Sequence, residues 1–225
     1  MPVTAALVSG ALVLALALAA AAGIGWSHVA ARWDRLIRLP IYFVAGLAPF
    51  FLGLVLSYFL GFRWKLTPVA GYCDLFNPPE DLGCGGLHDW LSHLVLPVVA
   101  LSLFPAAIYT RIVHAGVADV RAAHSKEKRR ELSRRFRLVM ARVAGRDFGW
   151  MIGAAFLVES AFAIPGLGRV ADASVSYSDP LILEAALLYA SALAIAVHFL
   201  VDVVVGALDS DLRAEWPVAG MPKPA

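Results

Sequence analysis

The sequence predicts an all-α polytopic membrane protein, a single domain over residues 1–225 with five transmembrane helices. Composition is the first reason: the chain is 60% hydrophobic, with a mean hydropathy of +0.73. Soluble domains contain only about 45–50% apolar residues. The second reason is clustering, because the apolar residues form runs near the length of about 20 residues that a helix needs to cross a bilayer.

The five predicted spans cover about residues 5–26, 41–62, 91–113, 148–164 and 181–208. The first is predicted to be a true span, because no Lys or Arg precedes Arg32 and a secretory signal would begin with a basic segment. The fourth span is the least apolar of the five and could begin as early as Leu138.

Basic residues predict the orientation of these spans. Eleven of the 19 Lys and Arg residues lie between Arg111 and Arg146, where three acidic residues leave a net charge of +8. Basic loops stay on the cytoplasmic side of a membrane. We therefore expect the N-terminus outside, the C-terminus inside and a cytoplasmic loop over residues 114–147. No nucleic-acid partner is expected, since these charges lie between spans and not on a soluble module.

The predicted outer loop, residues 63–90, holds both cysteines of the chain, Cys73 and Cys84. Thiols outside the cytoplasm can oxidise and persist as a disulfide, and we favour that bridge over two free thiols. A metal site that includes His88, Asp89 and His93 is the weaker alternative. The two histidines are five residues apart, which places them on different faces of a helix.

The sequence predicts neither a catalytic residue nor a metal or cofactor site. None of the four lysines follows a glycine, so the G-x-x-x-x-G-K-[ST] phosphate loop is absent from the sequence. The chain is therefore not expected to be the ATPase of a pump by itself, and we expect no enzyme activity in it.

Four ionisable residues lie within the fourth and fifth predicted spans, and such residues are functional candidates. They are Glu159, Glu184, His198 and Asp202. His198 and Asp202 are one helical turn apart on one face of the fifth span. They could belong to a proton relay, or they could form a hydrogen bond between helices. The second interpretation is favoured because a relay needs several such groups in series.

The basic interval also contains an amphipathic helix. Leu132, Phe136, Val139 or Met140, and Val143 recur at spacings of three and four. Ser125 is placed to cap its start. Such a helix could rest on anionic lipid or dock a cytoplasmic partner, and periodicity does not separate these two.

Several motifs together resemble permeases of dipeptide and oligopeptide ABC importers. Residues 159–169 are similar to the family segment E-T-x-F-x-x-P-G-L-G-R, and residues 201–209 to its closing V-D-x-x-Y-A-x-x-D-P-R. Weaker similarities cover residues 33–35, residues 67–73 with Cys84, and residues 110–111.

The resemblance implies the five-helix core of a type I ABC importer permease in the bacterial cytoplasmic membrane, surrounded by membrane lipid. It implies a second permease as heterodimer partner, two cytoplasmic ATPases that bind the ATP, and an extracytoplasmic solute-binding protein. The implied contacts with the ATPases are Asp119, Arg121, Ala122, Ala123, Arg129 and Arg130. The implied outer-gate motif comprises Glu159, Phe162, Pro165, Gly166 and Gly168.

The sequence also departs from the family pattern. It is expected to begin at the second of the family's six spans. Its coupling loop lacks the family's glycine and N-A-x-x-P and is about a dozen residues shorter, a change that loops tolerate. Two alternatives follow: a structural subunit that no longer couples to an ATPase, or a stand-alone proton-coupled carrier that uses His198, Asp202 and Glu159.

Overall fold

The computed structural model describes residues 2–29, 34–65, 67–68, 71–73 and 86–208. Within them lie the helices α1 (Pro2–Trp26), α2 (Asp34–Ala45), α3 (Pro49–Leu56), a π-helix (Ser57–Arg63), α4 (Leu87–Ala122), α5 (Lys126–Ala161), α6 (Leu167–Ser176) and α7 (Pro180–Leu208). These described residues include no strand, so the all-α prediction is confirmed for them.

Three helices are long and apolar enough to cross a bilayer. They are Val3–Trp26, His88–Ala122 and Pro180–Ala207, and they coincide with the first, third and fifth predicted spans. The protein is therefore a multi-pass membrane protein, whereas the total of five spans and the orientation of the termini stay predictions.

The second predicted span, 41–62, is not one straight helix. Arg35–Ala45 and Pro49–Arg63 meet at an angle of 102°. Ala48 has an extended backbone (φ −66°, ψ 139°) before Pro49, because the ring of a proline disfavours the helical conformation in the residue that precedes it. The apolar run predicted as a single span is thus a bent pair of helices.

The segment predicted as a loop, 114–147, is largely helical. Helix α4 continues to Ala122 and α5 begins at Lys126, so only residues 123–125 connect them. Helix α5 then runs for 36 residues without interruption, and its second half contains the fourth predicted span up to Ala161. We call residues 114–147 the basic hairpin.

The core lies where α1 packs along α4, which is the most extensive helix pair among the described residues. Small buried residues such as Ala15 and Ala19 let the two helices approach closely. A second buried group, which includes Leu7, Leu101 and Met151, joins α1, α4 and α5. Helix α7 is the most exposed of the three long apolar helices, with 11% of its most apolar window buried. Its surface is therefore available to lipid or to another subunit.

Some sequence predictions fall outside the described residues. These are Cys84, residues 74–85 of the outer loop, Trp33 of the weaker similarity at 33–35, and the C-terminal part of the motif at 201–209.

Candidate functional site: a buried clasp and a basic hairpin

The most distinctive local structure is the turn that joins α5 to α6. Phe162 and Ile164 are buried there at 3% and 0% exposure. Ala163, between them, adopts a left-handed backbone with φ of 55°. The Ile164 N–H donates to the Glu159 carbonyl oxygen at 2.9 Å, which satisfies a carbonyl at the end of α5. We call residues 159–168, together with Thr4, the buried clasp.

The carboxylate of Glu159 lies at the centre of the clasp and is fully buried. Its Oε2 accepts a 2.6 Å hydrogen bond from the Gly168 N–H. That N–H belongs to the first turn of α6, where helix N–H groups have no partner within the helix and the dipole favours negative charge. Oε1 is also buried and has no hydrogen-bond partner in the part of the chain that the structure describes. Glu159 therefore fastens the end of α5 to the start of α6.

The two glycines of the P-G-L-G sequence are required by close packing. A Cβ on Gly166 would overlap the Glu159 carboxylate, and a Cβ on Gly168 would overlap the backbone of Phe156 in α5. Pro165 is exposed on the turn beside them. The spacing of the motif thus follows from how tightly the start of α6 approaches α5.

Thr4 adds α1 to the clasp. Its Oγ1 accepts a 3.0 Å hydrogen bond from the Leu167 N–H, and both residues are buried. Thr4 and Glu159 together satisfy two N–H groups in the first turn of α6. Sequence reasoning missed Thr4, because no local pattern links residues 163 positions apart.

Phe162 connects the clasp to the rest of the predicted outer side. The ring of Phe162 packs against Gly53 of α3, where an added Cβ would lie 3.0 Å from the ring atom Cε2. Its carbonyl oxygen accepts a 3.0 Å hydrogen bond from the Gly71 N–H in the outer loop. All five predicted outer-gate residues therefore belong to one structural unit, with Glu159 at its centre.

The described part of the outer loop rests on the start of α4. Tyr72 Oη accepts a 3.0 Å hydrogen bond from Trp90 Nε1. Cys73 is disulfide-bonded, and its Sγ lies 3.9 Å from His93 Nε2. Since Cys84 lies outside the described residues, its pairing with Cys73 stays a prediction. Within the described residues, no group of three or more His, Cys, Asp or Glu could hold a metal ion.

The basic hairpin is a packed pair of helices. The Ser125 side chain accepts a hydrogen bond from the Lys128 N–H at 3.1 Å, which confirms the predicted cap of α5. The ring of Phe136 lies against Gly116, where a Cβ would overlap it. Met140 and Val143 pack against the same α1–α4 core. The apolar face of the amphipathic segment thus covers α4 and α1, and the choice between anionic lipid and a cytoplasmic partner stays a prediction.

The predicted ATPase contacts lie near the tip of the hairpin. Arg121 donates to the Ser27 carbonyl oxygen at 2.8 Å, and its other terminal nitrogen lies 2.9 Å from His28 Nε2. Arg129 Nε donates to the Ala123 carbonyl oxygen at 3.1 Å. These bonds tie the tip to the end of α1 and hold the turn between the two helices.

The other three predicted contacts differ in position. Ala122 ends α4, and Arg130 is exposed on α5. Asp119 lies on the side of the hairpin that Arg135 also lines. The hairpin therefore brings the six residues to one end of the molecule but not to one surface.

Two contacts at the base of the hairpin had no signal in the sequence. Buried Tyr109 of α4 donates a 3.0 Å hydrogen bond to Asp147 Oδ2 of α5. Trp26 of α1 stacks on His114 of α4, with ring centroids 4.1 Å apart. Both join residues that are distant in sequence, and they fix where the hairpin leaves the core.

His198 and Asp202 lie at the side of the bundle, between α5 and α7. His198 Nδ1 is 2.9 Å from the Ala194 carbonyl oxygen in its own helix, and its ring packs on Gly149 of α5. Asp202 is exposed. Among the described residues, neither side chain forms the predicted hydrogen bond to another helix. The two instead line a groove of about 460 Å³ with Arg142 and Arg146.

Comparison with known proteins supplies the context for these features. The family described as "Binding-protein-dependent transport system inner membrane component" matches residues 11–214. The "Probable peptide ABC transporter permease protein y4tP" of Sinorhizobium fredii is 27% identical, over 73% of this chain and 54% of the relative. The "Dipeptide transport system permease protein DppB" of Escherichia coli K12 is 26% identical, over 73% and 56% respectively. The chain spans about half the length of these curated relatives.

Proposed function

Because the chain belongs to the family of binding-protein-dependent transport system inner membrane components, we propose that it is a permease subunit of an ABC importer for peptides. In this proposal it pairs with a second permease in the bacterial cytoplasmic membrane. Two ATPases bind on the cytoplasmic side, and a solute-binding protein delivers the peptide from outside. Support for the substrate class comes from the relatives, whose names assign them to peptide and dipeptide transport.

The observation that carries the mechanism is the continuity of α5. This helix has 36 residues, a length of about 54 Å at 1.5 Å per residue. One end lies in the basic hairpin and the other in the buried clasp. A displacement imposed by an ATPase at the hairpin would reach the clasp through one rigid element. Alternating access needs such an element with two discrete arrangements.

Gly153 allows a direct test of this mechanism. It lies in α5 between the clasp and the hairpin, is exposed, and has no atom within 4 Å of a Cβ position. Gly153→Pro would bend or break the helix, whereas Gly153→Ala would preserve it. The assembled transporter would be reconstituted in vesicles, with peptide uptake and ATP hydrolysis measured together.

The proline variant should lose at least about tenfold of uptake, because broken helix geometry interrupts the connection. It should retain ATP hydrolysis and assembly with its partners, while the alanine variant should resemble the wild type. Unchanged uptake by an assembled proline variant would contradict the role of α5. Uptake of no tested peptide by the wild-type complex would instead count against the substrate class.

A second candidate, a structural subunit that does not couple to an ATPase, is favoured by one observation. The connection between α4 and α5 is only three residues long, in a segment that lacks the glycine and the N-A-x-x-P of the family's coupling loop. Arg129→Gln with Arg130→Gln distinguishes the candidates. If the chain couples to an ATPase, less ATPase should co-purify with this double variant than with the wild type. If the chain is a structural subunit, the same amount of ATPase should co-purify with the wild type and with the double variant.

A further inference from the structure

One side of the basic hairpin carries a groove of about 740 Å³ between α4 and α5. Among the described residues, no carboxylate lines it, whereas five arginines do: Arg121, Arg129, Arg130, Arg134 and Arg137. Its remaining surface includes the apolar side chains Val117, Val120 and Phe136. We call it the arginine groove. A lining whose described charged residues are all arginines, beside an apolar floor, is complementary to a molecule with an anionic head and a hydrocarbon body.

The position of the groove along α4 matches the headgroup layer of a bilayer. The predicted span ends at Val113, and a rise of 1.5 Å per residue puts Val117 about 6 Å and Val120 about 10 Å beyond it. The headgroup layer extends roughly 5–8 Å beyond each face of the hydrocarbon core. Phe136 contacts Gly116, so Arg134 and Arg137, close to it in α5, lie at a similar level. The groove therefore begins where lipid phosphates are concentrated.

The walls of the groove are held in place before any ligand binds. The close packing of Phe136 on Gly116 fixes the separation of the helices. Arg121 and Arg129 are anchored by the carbonyl oxygens of Ser27 and Ala123. Each of those bonds uses only part of a guanidinium group that has five N–H donors. Anchored arginines lose less conformational freedom when they bind an anion.

The charge on the exposed face of α5 also favours an anion. Arg130, Arg134 and Arg137 follow one another at spacings of four and three, so they are neighbours along one helix face. Side chains at these spacings lie next to one another on a helix surface, so the three guanidinium groups can reach the same anion. The opposite groove, which contains Asp119 and Arg135, has a mixed lining, and Arg135 there forms an ion pair with Glu131 at 2.9 Å.

We propose that the arginine groove binds an anionic phospholipid of the surrounding membrane. The arginines hold the phosphate, and Val117, Val120 and Phe136 contact the first part of the hydrocarbon. The nearness of the groove to the predicted membrane surface favours lipid over an ATPase as the occupant. This proposal goes beyond the transport function and does not depend on it, since lipid binding is measured without substrate or ATP.

The test uses the chain purified in detergent with any subunits that accompany it, titrated with phosphatidylglycerol or phosphatidylcholine. Retained lipid is counted by native mass spectrometry. The test variant is Arg134→Gln with Arg137→Gln. The control, Lys126→Gln with Lys128→Gln, removes the same charge near the tip, outside the groove. We expect the wild type and control to prefer phosphatidylglycerol, and the test variant to bind it about thirtyfold more weakly.

Three outcomes would overturn the proposal. If the test and control variants lose phosphatidylglycerol binding equally, the lipid is attracted to positive charge in general and not to this groove. No preference of the wild type for phosphatidylglycerol would exclude the site without relying on any variant. Unchanged lipid binding with loss of co-purified ATPase would assign the groove to the ATPase. Arg134→Lys with Arg137→Lys, which keeps the charge, should retain most of the binding if charge and not folding explains the loss.

Discussion

The conformation of the buried clasp depends on one carboxylate, that of Glu159, and on the absence of a Cβ atom at Gly166 and Gly168. The Glu159 side chain is fully buried. One of its carboxylate oxygens accepts a hydrogen bond from the Gly168 N–H. The carboxylate also occupies the space that a Cβ on Gly166 would need. A buried carboxylate is stable only with such partners. The residues predicted from the E-x-x-F-x-x-P-G-L-G-R resemblance thus have physical roles that the motif alone did not state.

Gly166→Ala should destabilise the protein by about 1–3 kcal/mol, because the added methyl group must displace the Glu159 carboxylate from a packed site. Thermal unfolding of the detergent-purified protein measures this as a lower midpoint. Gly153→Ala is the matched control: it makes the same change in α5, where a Cβ meets no atom within 4 Å. Equal midpoints for the two variants would contradict the packing described for the clasp.

The sequence predicted some residues of the site and missed others for a clear reason. Glu159, Gly166 and Gly168 lie within ten residues of one another, so a local motif could identify them. Thr4 reaches the same clasp from a position 163 residues before Leu167, and Tyr109 meets Asp147 across 38 residues. Only the packing of helices brings these pairs together, and a single sequence has no local signal for that packing.

At the scale of elements, hydropathy located the long helices well and the breaks poorly. The apolar runs at the first, third and fifth spans are continuous helices, and α4 accommodates Pro97 and Pro105 within it. The run at 41–62 is bent at residues 46–48. The break signals, Gly46 and Pro49, were present in the sequence, but the high hydropathy of the run outweighed them in the prediction.

The start of α5 depends on its cap. Ser125→Ala should remove the hydrogen bond to the Lys128 N–H and cost about 1 kcal/mol of local helix stability. Hydrogen exchange of the amides at residues 126–129 should become faster, while exchange near Met151 should not change. Ser125→Asp, which can accept the same bond, should restore the slow exchange. Identical exchange in all three proteins would show that the cap does not hold this turn.

At the scale of the whole molecule, the topology rests on the distribution of charge. The predicted inside segments hold 16 of the 19 basic residues and the predicted outside segments hold three. The structure adds that the most basic part is a helical hairpin at one end of the bundle. The clasp lies at the other end of α5, so the two candidate functional regions are predicted to face opposite sides of the membrane.

Cysteine labelling in intact cells tests this orientation. Ser125→Cys, at the tip of the hairpin, should react with a membrane-impermeant maleimide only after the cells are opened. Lys65→Cys, exposed beyond the π-helix, should react before that, because the positive-inside rule places it outside. Wild-type protein, whose Cys73 is already disulfide-bonded, gives the background. The reverse pattern of labelling would invert the topology.

The bend of 102° between α2 and the Pro49–Arg63 segment has a consequence for the lipid around the protein. At most one of the two halves can stand along the membrane normal. The longer half has 15 residues and reaches at most about 22 Å, whereas the hydrocarbon core is about 30 Å thick. Hydrophobic mismatch of this size is relieved by local thinning of the bilayer. The membrane should therefore be thinnest beside α3, next to the glycine that packs against the clasp.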